Sequence, residues 1–358
     1  MANRDPRGVP LRSGIGEGKA PGRGDAAALR NVPALWRRGV QCPRARHGLP
    51  DDRLLDSSRS RPHPAPRPLD VLLGPGARAR RGGGARSRAR AVRGLRLLRR
   101  LVLLTLVTLA CLLILFLGAL PAALVGRFGP WRVRVMSWWS RLLVAVIGCE
   151  IEVVGVRPEG GFLLVSNHLS YVDIPVLASC LPCTFVSKAE VRSWPVLGLL
   201  SWLAGTIYID RNRRSDVVRV GAEIERELEK GRRVVFFPEG TSTGGASVQP
   251  FRSSLLEPAA AHGIAVRYAV LRYEAHAGMP PASVSVAWWG DMDFAPHILQ
   301  LLSSPGFRAR VEFGEEAIVD ADRKALAQRL HRSISERFQP MEQVLESTPA
   351  ARREAAAS

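Results

Sequence analysis

The chain has 358 residues, 51 Lys and Arg against 32 Asp and Glu, and a formal net charge of +19. Positions 1–100 hold 24 of the basic and 7 of the acidic residues, so +17 of that charge lies in the first hundred and the rest is close to neutral. A basic surface spread over the whole molecule, of the kind that tracks nucleic acid, is therefore excluded.

Residues 1–92 are rich in Arg, Pro and Gly, as in Arg61-Pro62-His63-Pro64-Ala65-Pro66-Arg67-Pro68, and carry little periodic apolar content. Such a segment buries too little to offset the entropy of ordering, so a disordered tail is predicted. A basic, glycine-studded arm can bind RNA or anionic lipid. Here no aromatics interleave with the charges as a stacking platform requires, so no specific nucleic-acid partner is expected. A solvated tail, or upstream sequence from a start site placed too early, is the simpler reading.

From 101 to 126 no charge occurs, and roughly 20 apolar residues suffice to cross a bilayer. Arg93, Arg96, Arg99 and Arg100 precede the run and favour a cytoplasmic flank. The run lies too deep in the chain for a signal peptide. Pro121 and Gly129-Pro130 are predicted to break the helix. A shorter apolar stretch at 135–147 follows, with Trp138-Trp139 suited to the headgroup layer. Residues 93–149 are thus predicted as a membrane-embedded helical hairpin that enters and returns, leaving the remainder on the cytoplasmic side of the inner membrane. A single crossing is the alternative.

Beyond 150, strands are predicted at 151–157, 161–166, 183–187, 205–210, 233–237, 264–271, 283–289 and 308–313. Helical patterns lie at 172–181, 189–203, 215–230, 252–262, 295–302 and 321–338. Ser215 is placed to cap the third of these, and Lys230-Gly231 to close it. This alternation argues for one α/β domain over 150–340 with a mixed or mainly parallel sheet, followed by a flexible tail at 341–358. In such sheets the chemistry sits in loops beyond the strand ends.

Three strand ends carry polar residues. Asn167-His168-Leu169-Ser170-Tyr171-Val172-Asp173 sets a histidine and an aspartate five positions apart, too far for one helix face, so a turn must join them. A histidine oriented by a carboxylate can take a proton from an alcohol near neutral pH; a pair of capping or solvated residues is the plainer reading. Gly205-Thr206-Ile207-Tyr208-Ile209-Asp210-Arg211 runs a strand into arginines, donors suited to phosphate oxygens or simply to a solvated loop. Phe236-Phe237-Pro238-Glu239-Gly240-Thr241-Ser242-Thr243-Gly244-Gly245 opens a buried strand into a glycine-rich turn that can present amides to an anion.

Together, in this order and approximate spacing, these blocks resemble the glycerolipid acyltransferase family, whose best-known member acylates 1-acylglycerol-3-phosphate. The resemblance covers residues 100–300. It implies that His168 is the general base on an acceptor hydroxyl, that Asp173 orients it, and that Arg211 binds the acceptor's phosphate. Asn167, Glu239, Gly240 and Thr241 would hold the acceptor or the backbone around it. It further implies acyl-CoA or acyl carrier protein as thioester donor, a lysolipid acceptor among membrane lipids, phosphatidate as product, and no cofactor or metal. One departure matters: the family's third block continues with arginine where this chain has Ser242. A phosphate monoester carries nearly two charges, so the missing cation weakens the case for lysophosphatidate, which remains the expected acceptor, with a lysophospholipid or lyso-aminolipid as the alternative. Arg252 is the candidate to replace it.

A serine hydrolase is the rival, because Gly240-Thr241-Ser242-Thr243-Gly244 fits the nucleophile-elbow pattern and Asp291, Asp293, His297 and His331 follow in chain order. Against it, no helix starts directly after Ser242. Asp291 and Asp293 read more simply as caps of the next helix. Cys180-Leu181-Pro182-Cys183 lacks the second pair a zinc site needs, so the five cysteines are read as structural.

Overall fold

The computed structural model describes residues 83–195, 197–210 and 213–342. Most of the predicted basic tail, Cys42 and Arg211 therefore lie outside the described residues. The apolar run Leu163-Leu164-Val165 is buried on both faces, as strands covered by helices on either side must be. It forms β2 (Leu163–Ser166), the middle strand of a seven-stranded sheet among the described residues.

The other strands are β1 (Cys149–Val154), β3 (Thr184–Lys188), β4 (Ile207–Ile209), β5 (Val234–Phe236), β6 (Val266–Ala275) and β7 (Phe307–Phe313), in the order β1-β7-β6-β2-β5-β3-β4. All neighbours are parallel except β6 and β7, whose antiparallel register places Ala269 opposite Phe313. The mixed, mainly parallel α/β sheet predicted from the strand–helix alternation is thus the observed one. β7 is amphipathic: Phe307, Ala309, Val311 and Phe313 enter the core while Arg308 is exposed.

The helices are α1 (Gly83–Leu124), α2 (Phe128–Ile147), α3 (Asp173–Cys180), α4 (Leu197–Ala204), α5 (Arg214–Glu229), α6 (Glu257–Ala261), α7 (Ala282–Ser285), α8 (Phe294–Ser303) and α9 (Arg323–Arg337). Four expectations are corrected here. Residues 83–92, predicted disordered, are the opening turns of α1, where Ala and Arg are strong helix formers extended from an apolar core segment. Pro121 does not break α1, because the helix ends three residues later and only its last turn feels the missing N–H. Gly129-Pro130 fall in the first turn of α2, where a missing N–H costs nothing. Residues 283–289 are not a strand: α7 occupies the start, and the remaining backbone bonds to the loop after β2, Trp288 N–H to the Leu169 carbonyl at 3.0 Å.

Two smaller points follow the same logic. Ser215 sits inside the first turn of α5 rather than capping it, and the Asp216 carboxylate takes the Asp210 N–H at 2.6 Å. Met341, assigned to the C-terminal tail, is buried and donates its N–H to the Gly245 carbonyl at 2.8 Å.

Helix α1 has two faces. Leu97, Arg100, Leu104, Cys111 and Leu115 turn inward against α2 and the domain. Leu95, Leu98, Val102, Leu106, Leu109, Leu113, Phe116, Leu120 and Leu124 form an exposed apolar stripe at helical spacing. Ser87–Leu124 is long and apolar enough to cross a membrane. α2 returns antiparallel: Trp131 packs by Gly118, and Trp139 donates to Thr108 Oγ1 at 3.1 Å. Trp139 thus serves the helix–helix contact, while its neighbour Trp138 is exposed.

Candidate active site

β2 ends at Ser166, and the next residue explains how the loop beyond it is held. Asn167 is buried, with its amide donating to the Leu271 carbonyl at 2.9 Å and its side-chain oxygen accepting the Leu271 N–H at 2.8 Å. The side chain copies a backbone rung and extends the β2–β6 ladder by one residue. Of the two roles expected of it, holding the acceptor or the backbone around it, the structure shows the second.

Residues 168–172 then turn, and α3 begins at Asp173, which is 0% exposed. One oxygen of its carboxylate, Oδ2, accepts from His168 Nδ1 at 2.6 Å, Leu169 N at 2.7 Å and Ser170 N at 3.1 Å. The other, Oδ1, accepts from the Tyr273 hydroxyl at 2.6 Å. The five-residue spacing is thus a turn closed on its own final side chain. An acceptor so placed puts the ring proton on Nδ1 and leaves Nε2 as the basic nitrogen. Burial, followed by the Asp173 charge, pushes the Tyr273 phenol well above its ordinary range, so it stays a donor. The His168 ring stacks on Phe237 at 4.2 Å and 13° and keeps 21% of its side chain exposed.

Glu239 is buried beneath this loop. Its Oε1 accepts the His168 N–H at 2.6 Å and its Oε2 the Gln249 N–H at 2.9 Å. Burial pushes its carboxyl up to about 7, with the Asp173 charge adding to the rise and the two N–H groups opposing it. Because the folded state holds this proton above the ordinary carboxyl value of 4.5, the stability from Glu239 is full below about 4.5 and declines as pH rises through about 7. Thermal unfolding of the wild type and of Glu239→Gln from about pH 5 to about pH 8 checks this: the wild type should lose stability relative to the variant across that window. Parallel profiles would refute the assignment.

Beside His168 lies a cavity of about 360 Å³, lined by Leu104 of α1, by Met136, Trp139, Leu143 and Ile147 of α2, by Leu197 and Leu200 of α4, and by Phe294, Ile298 and Leu301 of α8. Gly240, Thr241 and Ser242 line it next to the histidine, as does Lys188 at the end of β3. Gly240 adopts φ +81°, open to glycine without strain. Arg252 is exposed and lies outside the cavity lining. The structure therefore brings His168, Asp173, Glu239, Gly240 and Thr241 together, with Asn167 pinning the backbone beside them, and leaves Arg252 out.

The hydrolase constellation does not assemble. Ser242 Oγ donates to the Trp288 carbonyl at 2.5 Å, His297 Nδ1 meets the Tyr171 hydroxyl at 3.0 Å, and His331 Nε2 meets the Val248 carbonyl at 3.2 Å. Burial pulls His297 down to about 4, making it a poor base at neutral pH. Asp291 and Asp293 are exposed, and Asp293 holds the N-cap position of α8 without a side-chain cap bond.

The family model for the acyltransferases matches residues 150–269. A lyso-ornithine lipid O-acyltransferase from Brucella abortus is 35% identical over 219 residues, covering 57% of this chain and 81% of that protein. The chain belongs to the acyltransferase family. A lyso-ornithine lipid O-acyltransferase from Pseudomonas aeruginosa is 38% identical to this acyltransferase over 173 residues, 48% of this chain and 66% of that protein. A 1-acyl-sn-glycerol-3-phosphate acyltransferase from Neisseria meningitidis serogroup B is 32% identical over 207 residues, 57% and 80% of the two chains.

Tyr273 and Lys188 escaped the sequence reading. Tyr273 lies 100 residues from its partner with no local signal. Lys188 closes β3 as a cation at a strand end, a signal of the same kind as the arginines that follow Asp210 in the sequence.

Proposed function

We propose that this acyltransferase moves a fatty acyl group from acyl-CoA or acyl carrier protein to the free hydroxyl of a membrane lysolipid. The observation that carries the reading is the His168–Asp173 pair set beside an otherwise apolar cavity. His168 Nε2 takes the hydroxyl proton as the oxygen attacks the thioester carbonyl. Asp173 fixes the ring and stabilises the imidazolium. In the turn at 240–245, Gly240 N–H serves the Phe237 carbonyl, Thr243 N–H the His168 carbonyl and Gly245 N–H the Thr243 hydroxyl. Thr241 and Ser242 line the cavity with His168, and the oxyanion donors are assigned to their N–H groups. Collapse of the tetrahedral adduct breaks the C–S bond, and the departing thiolate takes the proton from His168.

For the acceptor we favour a lysolipid without a terminal phosphate, of the lyso-ornithine class. Ser242 stands where the family pattern has arginine, its hydroxyl is engaged by Trp288, and Arg252 lies off the cavity. The two lyso-ornithine relatives are also more identical than the Neisseria protein. The second reading, 1-acylglycerol-3-phosphate with Arg211 as its phosphate ligand, draws on the Ile209-Asp210-Arg211 block and on Lys188 at the cavity. Labelled acyl-CoA offered with a panel of lysolipids to membranes holding the protein, and products read by mass, decides between them. If lysophosphatidate is used, Arg211→Ala should raise its KM about 10- to 10²-fold and leave the donor KM nearly unchanged. Ser242→Arg should shift preference toward lysophosphatidate; an unchanged ratio would remove the serine from specificity.

Membrane attachment is proposed through the α1–α2 hairpin. Arg100 is buried at the end of α8, donating to the Leu302, Ser304 and Pro305 carbonyls at 3.1, 2.6 and 3.2 Å, and Arg96 reaches the Ser303 carbonyl at 3.0 Å. These cations cap a helix C-terminus and tie the arginine-flanked start of α1 to the domain. At the other end α2 runs through Gly148 into β1, so both ends of the hairpin meet the domain. That supports entry and return over a single crossing, with the domain on the cytoplasmic, arginine-retaining side.

A further inference from the structure

Helix α4 reads Leu-Gly-Leu-Leu-Ser-Trp-Leu-Ala, without a charge, and only Gly198 in it is buried. Its faces divide as follows. Leu200, Ser201 and Ala204 line the cavity. Leu203 packs on the hairpin cluster of Cys111, Leu115 and Val135. Leu199 and Trp202, one helical turn apart, are 56% and 54% exposed. The helix is not loose: the Ser201 hydroxyl bonds the Tyr208 hydroxyl at 2.6 Å. A helix tied to β4 thus holds a leucine and a tryptophan outward.

Where α4 meets the hairpin says what covers them. Cys111 and Leu115 lie 11 and 15 residues beyond Arg100, roughly 16–23 Å along α1 and inside its uncharged run. The outward side chains of α1 at that level, Leu109, Leu113 and Phe116, are themselves exposed. α4 therefore borders the part of α1 that faces hydrocarbon, and its exposed pair continues the same apolar surface. Arg192, exposed just before α4 in the chain, holds its guanidinium 5.9 Å from the Tyr208 ring centroid and supplies a cation near the start of the helix.

We propose that α4 is a second membrane contact, inserting Leu199 and Trp202 into the leaflet that holds the hairpin. The cavity wall formed by α4 then abuts lipid, so a lysolipid reaches His168 from the leaflet without crossing water. The inference rests on the membrane attachment proposed above.

The test uses the full chain with vesicles of phosphatidylcholine and phosphatidylglycerol. The fluorescence difference between wild type and Trp202→Phe isolates Trp202, and acyl-chain bromination should quench it. A Leu199→Ser/Trp202→Ser variant should float with vesicles as the wild type does. It should turn over vesicle-borne lysolipid at least about tenfold more slowly, with turnover of a monomeric short-chain lysolipid unchanged. Vesicle-bound protein with an unquenched Trp202, or wild-type turnover of vesicle-borne lysolipid by the double variant, overturns the proposal while attachment through the hairpin stands. Failure of the wild type to float overturns both. If the variant loses activity on both substrates, the quenching result decides.

Discussion

Replacing His168 by alanine is expected to lower turnover by about 10²- to 10⁴-fold, the usual worth of a positioned proton transfer, without loosening the fold. The ring contributes little packing beyond its stack on Phe237 and keeps part of its surface exposed. The backbone N–H of residue 168, which anchors the loop to Glu239, survives the substitution. Purified variant and wild type assayed on the same acceptor at saturating donor give the ratio directly. Transfer within a few-fold of wild type would remove His168 from the role of base.

Asp173→Asn should approach the same loss, about 10²-fold or more, because it removes the charge that stabilises the imidazolium. It should differ in stability. The amide must present an NH2 either to the three donors at Oδ2 or to the Tyr273 hydroxyl, leaving a buried partner poorly matched at about 1–3 kcal/mol. The decisive comparison is the double variant. If the pair acts as one unit, His168→Ala/Asp173→Asn should be no slower than His168→Ala alone. Multiplying losses would mean that Asp173 serves catalysis by a route that bypasses the histidine.

What was readable in the chain was local. His168 and Asp173 stand in one turn after a strand of unmistakable apolarity, so spacing placed them near each other, while their partnership came from the resemblance of the three blocks taken together. The end of β5 was legible for the same reason, since a buried run yields abruptly to Pro238-Glu239. Misreadings and undecided roles arose where a residue's partner is remote or its chemistry ambiguous. Asn167 left two roles open, because an amide can hold a ligand or a backbone, and its partner is the backbone of Leu271. Residues 283–289 alternate like a strand, but their hydrogen bonds go to a loop: the Ser170 hydroxyl donates to the Val286 carbonyl at 2.8 Å. Arg252 follows the third block closely in sequence, yet the turn at 240–251 carries it to solvent. Periodicity records which side chains are greasy and says nothing about which distant carbonyl awaits a donor.

The bond from Tyr273 to Asp173 also sets an order in time. Ribosomes emit the chain at roughly 5–20 residues per second, so the 100 residues between these partners take roughly 5–20 s to follow. The hairpin emerges first, then the histidine and its aspartate, and only afterwards the strand that brings the phenol and the rung opposite Asn167. During that interval the nascent enzyme carries its base with the carboxylate unbraced. Completion of β6 is thus the moment when the carboxylate gains its brace, while the α8 wall of the cavity is still to be made.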